Sequence, residues 1–151
     1  MRLTSWTGNS VDLSVEGYEF DSRAPQEPGD WDANWLVVAG RVRDSSQTWS
    51  FRDACLTTWD ANRLLHLLRH PDASEGEAVE FTETNLELQV TATSPEVVTL
   101  TLILRGESAP PGTPDDVRWS NGLAVALSVT RDALRTASED WATQLASFPE
   151  R

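Results

Sequence analysis

Val97-Val98-Thr99-Leu100-Thr101-Leu102-Ile103-Leu104-Arg105 is the most apolar run of the 151-residue chain. Successive side chains of an extended strand point to opposite faces. Val98, Leu100, Leu102 and Leu104 therefore share one face, and Val97 and Ile103 add apolar surface to the other. This predicts a strand that is central in its sheet and buried on both sides. Other segments with period-2 alternation lie around it: Ala78 to Thr82 and Leu86 to Thr91 before it, and Leu123, Val125, Leu127 and Val129 after it. The first half of the chain alternates in the same way. Val11, Leu13 and Val15 oppose Asp12, Ser14 and Glu16. From Trp35 to Arg43, Leu36, Val38 and Val42 point one way and Val37, Arg41 and Arg43 the other. Asp44-Ser45-Ser46-Gln47 reads as a turn, and Trp49 and Phe51 alternate with Ser50 and Arg52 beyond it, which makes a hairpin.

Two segments carry helical spacing instead. Thr57 is an N-cap with Asp60 three residues on, and Ala61, Leu64, Leu65 and Leu68 follow until Pro71 stops the helix. Thr130 caps the second, whose stripe is Leu134, Ala137, Trp141, Leu145 and Phe148 in steps of three and four. Short connections between successive strands favour antiparallel pairing. The expected fold is α+β, with mainly antiparallel sheet of about seven to eight strands and two packed helices, about 57–70 and 130–147. The length suits one core, so residues 1–151 read as a single domain without repeat or linker.

The charge is lopsided. Twelve arginines and no lysine face 24 carboxylates, for a formal net charge of −12. Such a field repels nucleic acid and anionic membranes, and suits a basic protein partner. No apolar run at the N-terminus reads as a secretory signal, no stretch reaches membrane-spanning length, and Cys55 is the only cysteine. These features point to a cytoplasmic protein.

Little in the sequence reads as catalysis. His66 and His70, four apart on the first helix, have a spacing that can hold zinc, but no third ligand is signalled and Leu67 stands where a zinc protease places its glutamate. Cys55 precedes a helix, yet neither histidine is placed beside it as a base, and a lone cysteine is usually buried. The pairs Asp115–Asp116 and Glu139–Asp140 read as solvated. The expectation is a non-enzyme without cofactor or metal. Of the seven tryptophans, Trp49, Trp59 and Trp141 fall on core-facing patterns, whereas Trp31, Trp35 and Trp119 flank loops. The alternative function is therefore a carbohydrate- or ligand-binding module that uses exposed tryptophans.

The acids are concentrated. His70 to Leu104 holds Asp72, Glu75, Glu77, Glu80, Glu83, Glu87 and Glu96 with no arginine, and Asp12 to Asp32 is similarly acid-dense, with Arg23 alone. The strand pattern turns Asp12, Glu16, Glu80 and Glu87 outward. With Glu83, these form the expected partner-binding set, whose carboxylates would steer a basic protein.

An ordered set of short motifs then runs along the chain: Tyr18-Glu19-Phe20, Asp32-Ala33-Asn34-Trp35-Leu36, Trp49 with Asp53-Ala54-Cys55-Leu56, Phe81-Thr82-Glu83-Thr84-Asn85-Leu86, and Phe148-Pro149-Glu150-Arg151. In these the chain resembles the WapI-type immunity proteins, a bacterial family common in actinobacteria, over nearly its whole length. Ala54 and Thr84 depart from the pattern, each standing where the family has proline. The resemblance implies a cytoplasmic immunity protein that binds and blocks the toxic domain of a contact-delivered toxin, often an RNase. It supplies no binding residues.

Overall fold

The computed structural model describes residues 1–20 and 29–151. Among the described residues eight strands form two four-stranded antiparallel meanders. The first contains β1 (Arg2–Thr4), β2 (Ser10–Tyr18), β3 (Trp35–Arg43) and β4 (Thr48–Thr57), and the second β5 (Ala78–Glu80), β6 (Leu86–Thr93), β7 (Val97–Leu104) and β8 (Leu123–Thr130), each in sequence order. Helix α1 (Thr58–Arg69) joins the sheets and α2 (Arg131–Leu145) follows β8. The α+β class, the antiparallel pairing and both helices agree with the alternation and capping signals. The expected loop from Asp21 to Asp32 lies for the most part outside the described residues.

Both meanders turn one face to a single cluster of buried side chains, which also takes in Leu64, Leu68, Leu134 and Trp141 of the helices. Leu3, Val11, Leu13, Val38 and Val42 line it from the first sheet, and Leu88, Leu100, Leu102 and Leu127 from the second. Phe51 lies against Gly40, its cross-strand partner, where any Cβ would collide with the ring. Where β1 and β8 approach, Asn9 Nδ2 donates to the Ala126 carbonyl at 2.9 Å and the Ser128 amide donates to Ser5 Oγ at 3.2 Å. Helix α2 touches β1, β2, β7 and β8. Its Trp141 is fully buried and donates its indole N–H to the Ala61 carbonyl of α1 at 3.0 Å.

The caps behave as their sequences dictate. Thr57 Oγ1 accepts from the Asp60 amide and Asp60 reaches back to the Thr57 amide, a full capping box, worth about 1 kcal/mol. Thr130 Oγ1 accepts from the Ala133 amide at 3.2 Å.

Four details differ from the sequence reading. β1 carries too few residues for alternation to register, and it exists because its register pairs Leu3 with Val11. β5 ends at Glu80, two residues short of the expectation. β4 continues to Thr57, so Cys55 lies within the strand. β7 is central but not covered on both sides: Val98, Leu100, Leu102 and Leu104 are buried, while Val97, Thr99, Thr101 and Ile103 remain half-exposed. Both helices contribute to the core on the inner side, and the chain between β7 and β8 reaches the outer one, where Trp119 and Ser120 lie beside Glu80 and Glu87.

Candidate partner-binding surface

The five acids expected to bind a partner fall into two unconnected groups. Asp12 and Glu16 lie on the outer face of β2 in the first sheet. Asp12 is opposite Arg2 on one side and Arg41 on the other, and Glu16 accepts from Arg52 Nε at 2.6 Å. Glu80 and Glu87 are register partners on β5 and β6 in the second sheet, and Glu83 lies in the turn between those strands. The outer faces of the two sheets look away from the shared core, so these acids do not form one patch.

Glu87 corrects the reading further. Alternation assigns it to the outer face, opposite Leu86 and Leu88, but it is only 6% exposed. Arg105 Nη2 donates to its Oε2 at 2.6 Å, and Gln89 Nε2 to its Oε1 at 2.6 Å. The cover comes from a single π-helical turn, Val117–Asn121, in the β7–β8 connection. Arg118 holds this turn down by donating to the Gly106 carbonyl at 2.8 Å and the Pro110 carbonyl at 3.1 Å. Arg105 Nε adds a bond to the Ser120 carbonyl at 2.9 Å. Single π-turns are frequent at functional sites. This one leaves Trp119 60% exposed at the lip of a hollow of about 270 Å³ lined by Glu80, Thr84, Leu86, Glu87, Arg105 and Ser120.

A second hollow, of about 280 Å³, includes Trp31, Trp59, Arg63 and Thr82, the last from the same segment 80–84 that gives Glu80 and Thr84 to the first. Trp31 is 56% exposed and tilts against Trp59 with ring centroids 4.9 Å apart. Arg63 donates to the Glu80 carbonyl at 3.0 Å, and the Thr82 amide to Asp60 Oδ2 at 3.2 Å, so α1 fastens the chain between the hollows. Segment 80–84, which holds Glu80 and Glu83, thus lines both hollows and makes one strip with Trp31 and Trp119. The sequence left Trp31 and Trp119 undetermined because both lie beside irregular chain. Trp6, in the β1–β2 connection, is also exposed.

The residues considered for catalysis are not assembled. Cys55 is fully buried, and burial pushes its thiol well above the usual range, with Asp53 adding to the effect, which disfavours the thiolate that a nucleophile needs. His66 and His70 lie on the exposed face of α1 with tilted rings whose centroids are 4.7 Å apart, and among the described residues no group of three metal-ligating side chains forms. Trp35 and Trp59 are half-buried, and Trp49 is buried, donating to the Ser108 carbonyl at 2.9 Å.

The motif residues hold the fold together. Asn85 is buried and donates to Asp53 of β4 at 2.6 Å and to Glu107 at 3.0 Å, while Ser108 Oγ donates to its carbonyl at 2.5 Å. The Asp53 and Asn85 motifs thus tie the first sheet to the second. Asn34 exchanges hydrogen bonds with the Arg151 backbone at 2.9 Å each, the Arg151 guanidinium lies 3.3 Å above the Tyr18 ring, and Tyr18 donates to the Pro149 carbonyl. These contacts close the chain end over the loop that carries Trp31.

No curated protein and no solved structure matches the chain. A family model described as the immunity protein WapI-like family matches residues 2–149, taking in both sheets, both helices and nearly all of the motifs that tie them. The chain belongs to the WapI-like immunity protein family.

Proposed function

We propose that this protein is the cognate inhibitor of a bacterial toxin domain. It acts in the cytoplasm without catalysis and binds its target through the strip from Trp31 to Trp119, with Glu80 and Glu83 at the centre. The observation that carries the reading is Trp119, held outward by an anchored turn beside carboxylates in a protein of an immunity family. Exposed tryptophans on rigid supports are the residues most often found to dominate binding energy. Carboxylates around them raise the on-rate of a basic partner, such as a nuclease domain whose active site attracts phosphate. Asp12 and Glu16 contribute less here, because Arg2, Arg41 and Arg52 offset them.

The test is association kinetics with a cognate toxin domain, to be sought in the gene that neighbours the one encoding this chain. Trp119→Ala should weaken binding about 30-fold. Glu80→Gln with Glu83→Gln should slow association about tenfold at low salt and little at high salt. Wild-type kinetics in both variants would discard the surface, and no binding by the wild-type protein would discard the reading itself. The exposure of Trp31 and Trp119 also supports carbohydrate binding as a second reading. They line separate hollows rather than one platform, and a glycan array without hits would remove it.

A further inference from the structure

The outer face of the first sheet is a positive island on an acidic protein. Among the described residues its strands present Arg2, Arg41, Arg43 and Arg52 against Asp12 and Glu16, four cations to two anions in a chain where carboxylates outnumber arginines 24 to 12. Arg2, Asp12 and Arg41 lie in one cross-strand row, and Arg43 sits in the next, between Ser10 and Thr48. Together these six side chains line a hollow of about 260 Å³. Arg52, Arg63, Arg105, Arg131 and Arg135 all form ion pairs. Arg2, Arg41 and Arg43 form neither an ion pair nor a side-chain hydrogen bond among the described residues. Their donor forks, which match a carboxylate in bidentate geometry, are free.

We infer that this face is a second docking surface, one that takes an acidic segment of a folded protein partner and is separate from the tryptophan-flanked strip. The chemistry narrows the ligand. Among the described residues no aromatic side chain lines the hollow, so these residues offer no stacking platform for nucleobases. The net charge of −12 repels an extended polyanion that would run beyond the arginines. Carboxylates on a folded partner meet the arginines at contact, inside the roughly 8 Å over which charge is felt at physiological salt. Asp12, at the centre, opposes a compact dianion such as phosphate and leaves room for carboxylates taken singly by the arginines around it.

The inference does not rest on toxin binding, and its test uses a different probe. Titration of the full chain with a short oligo-glutamate peptide at low salt should shift backbone amide resonances around Arg2, Asp12, Arg41 and Arg43, and added salt should reverse the shifts. Arg41→Ser with Arg43→Ser, checked for an unchanged melting transition, should weaken the peptide at least about fivefold. Asp12→Asn should tighten it about twofold. Trp119→Ala should leave it unchanged, which separates this surface from the proposed toxin site. Unmoved amides, or an Asp12→Asn variant that binds more weakly, would overturn the inference. So would inorganic phosphate or a single-stranded oligonucleotide shifting the same amides at lower concentration than the peptide.

Discussion

The outer faces of the two sheets carry charge from the same kind of alternating strand and treat it in opposite ways. On the first sheet Asp12 stays in solvent among arginines that pair with nothing among the described residues. On the second, Glu87 occupies an equivalent outward position and is buried in an ion pair with Arg105 beneath the Val117–Asn121 turn. Strand period assigns a side chain to a face, whereas the chain that crosses that face decides whether water reaches it. A surface charge read from sequence is therefore a binding candidate only where no connection folds back over it.

The largest expected effect comes from removing the two carboxylates separately. Glu87→Ala leaves the partly buried Arg105 without its ion-pair partner and should cost about 3 kcal/mol, whereas Asp12→Asn should shift stability by less than about 0.5 kcal/mol. Urea denaturation measures both, and equal costs would mean that the turn does not bury Glu87 in solution. Next is Gly106→Ala. Gly106 has φ +51°, and a Cβ there would meet Asn85 Oδ1 and the Trp119 ring. Strain and loss of the Asn85 network should cost about 2 kcal/mol, and the Trp119 emission should change with it.

A smaller effect lies at the edge of the first sheet, where the Met1 ammonium pairs with Asp140 of α2 at 2.8 Å. The hydrogen bond from that ammonium holds the Asp140 carboxyl below its usual range. A depressed folded-state pKa means stability that is present above the unfolded carboxylate value, about 3.9, and lost as pH falls through the folded one. Asp140 is largely exposed, so the amount is only about 0.5 kcal/mol. Asp140→Asn should remove that part of the acid sensitivity in melts at falling pH, and an unchanged acid profile would show that the pair adds nothing. The smallest effect expected is that of Arg41→Ser with Arg43→Ser on toxin association, under about twofold. A larger change would merge the two surfaces into one.

Much of the frame was legible because its causes are local. The capping box at Thr57 and Asp60, the cap at Thr130, and the inward rows Leu36–Val38 and Val98–Leu104 are set by steric and hydrogen-bonding rules that act within a few residues. The motif residues Asp53, Asn85 and Arg151 pointed to the family, and the structure shows them as ties between distant segments, a role that spacing alone does not state. The proposed binding surface was half legible. Glu80 was placed outward correctly, but Glu87 was not seen to be covered, and Trp119 gave no signal because its orientation depends on Arg118 reaching carbonyls on a separate turn.

The sequence by itself determined which residues face the core, where the helices begin and that the protein is strongly acidic. Only the tertiary structure decided that Asp12 and Glu80 belong to different faces, that Glu87 is paired and largely buried, and that Arg2, Arg41 and Arg43 gather in one place. The physical reason is range. Alternation and capping act between near neighbours, while exposure and charge grouping arise where segments far apart in the chain are brought together by burial of a shared core.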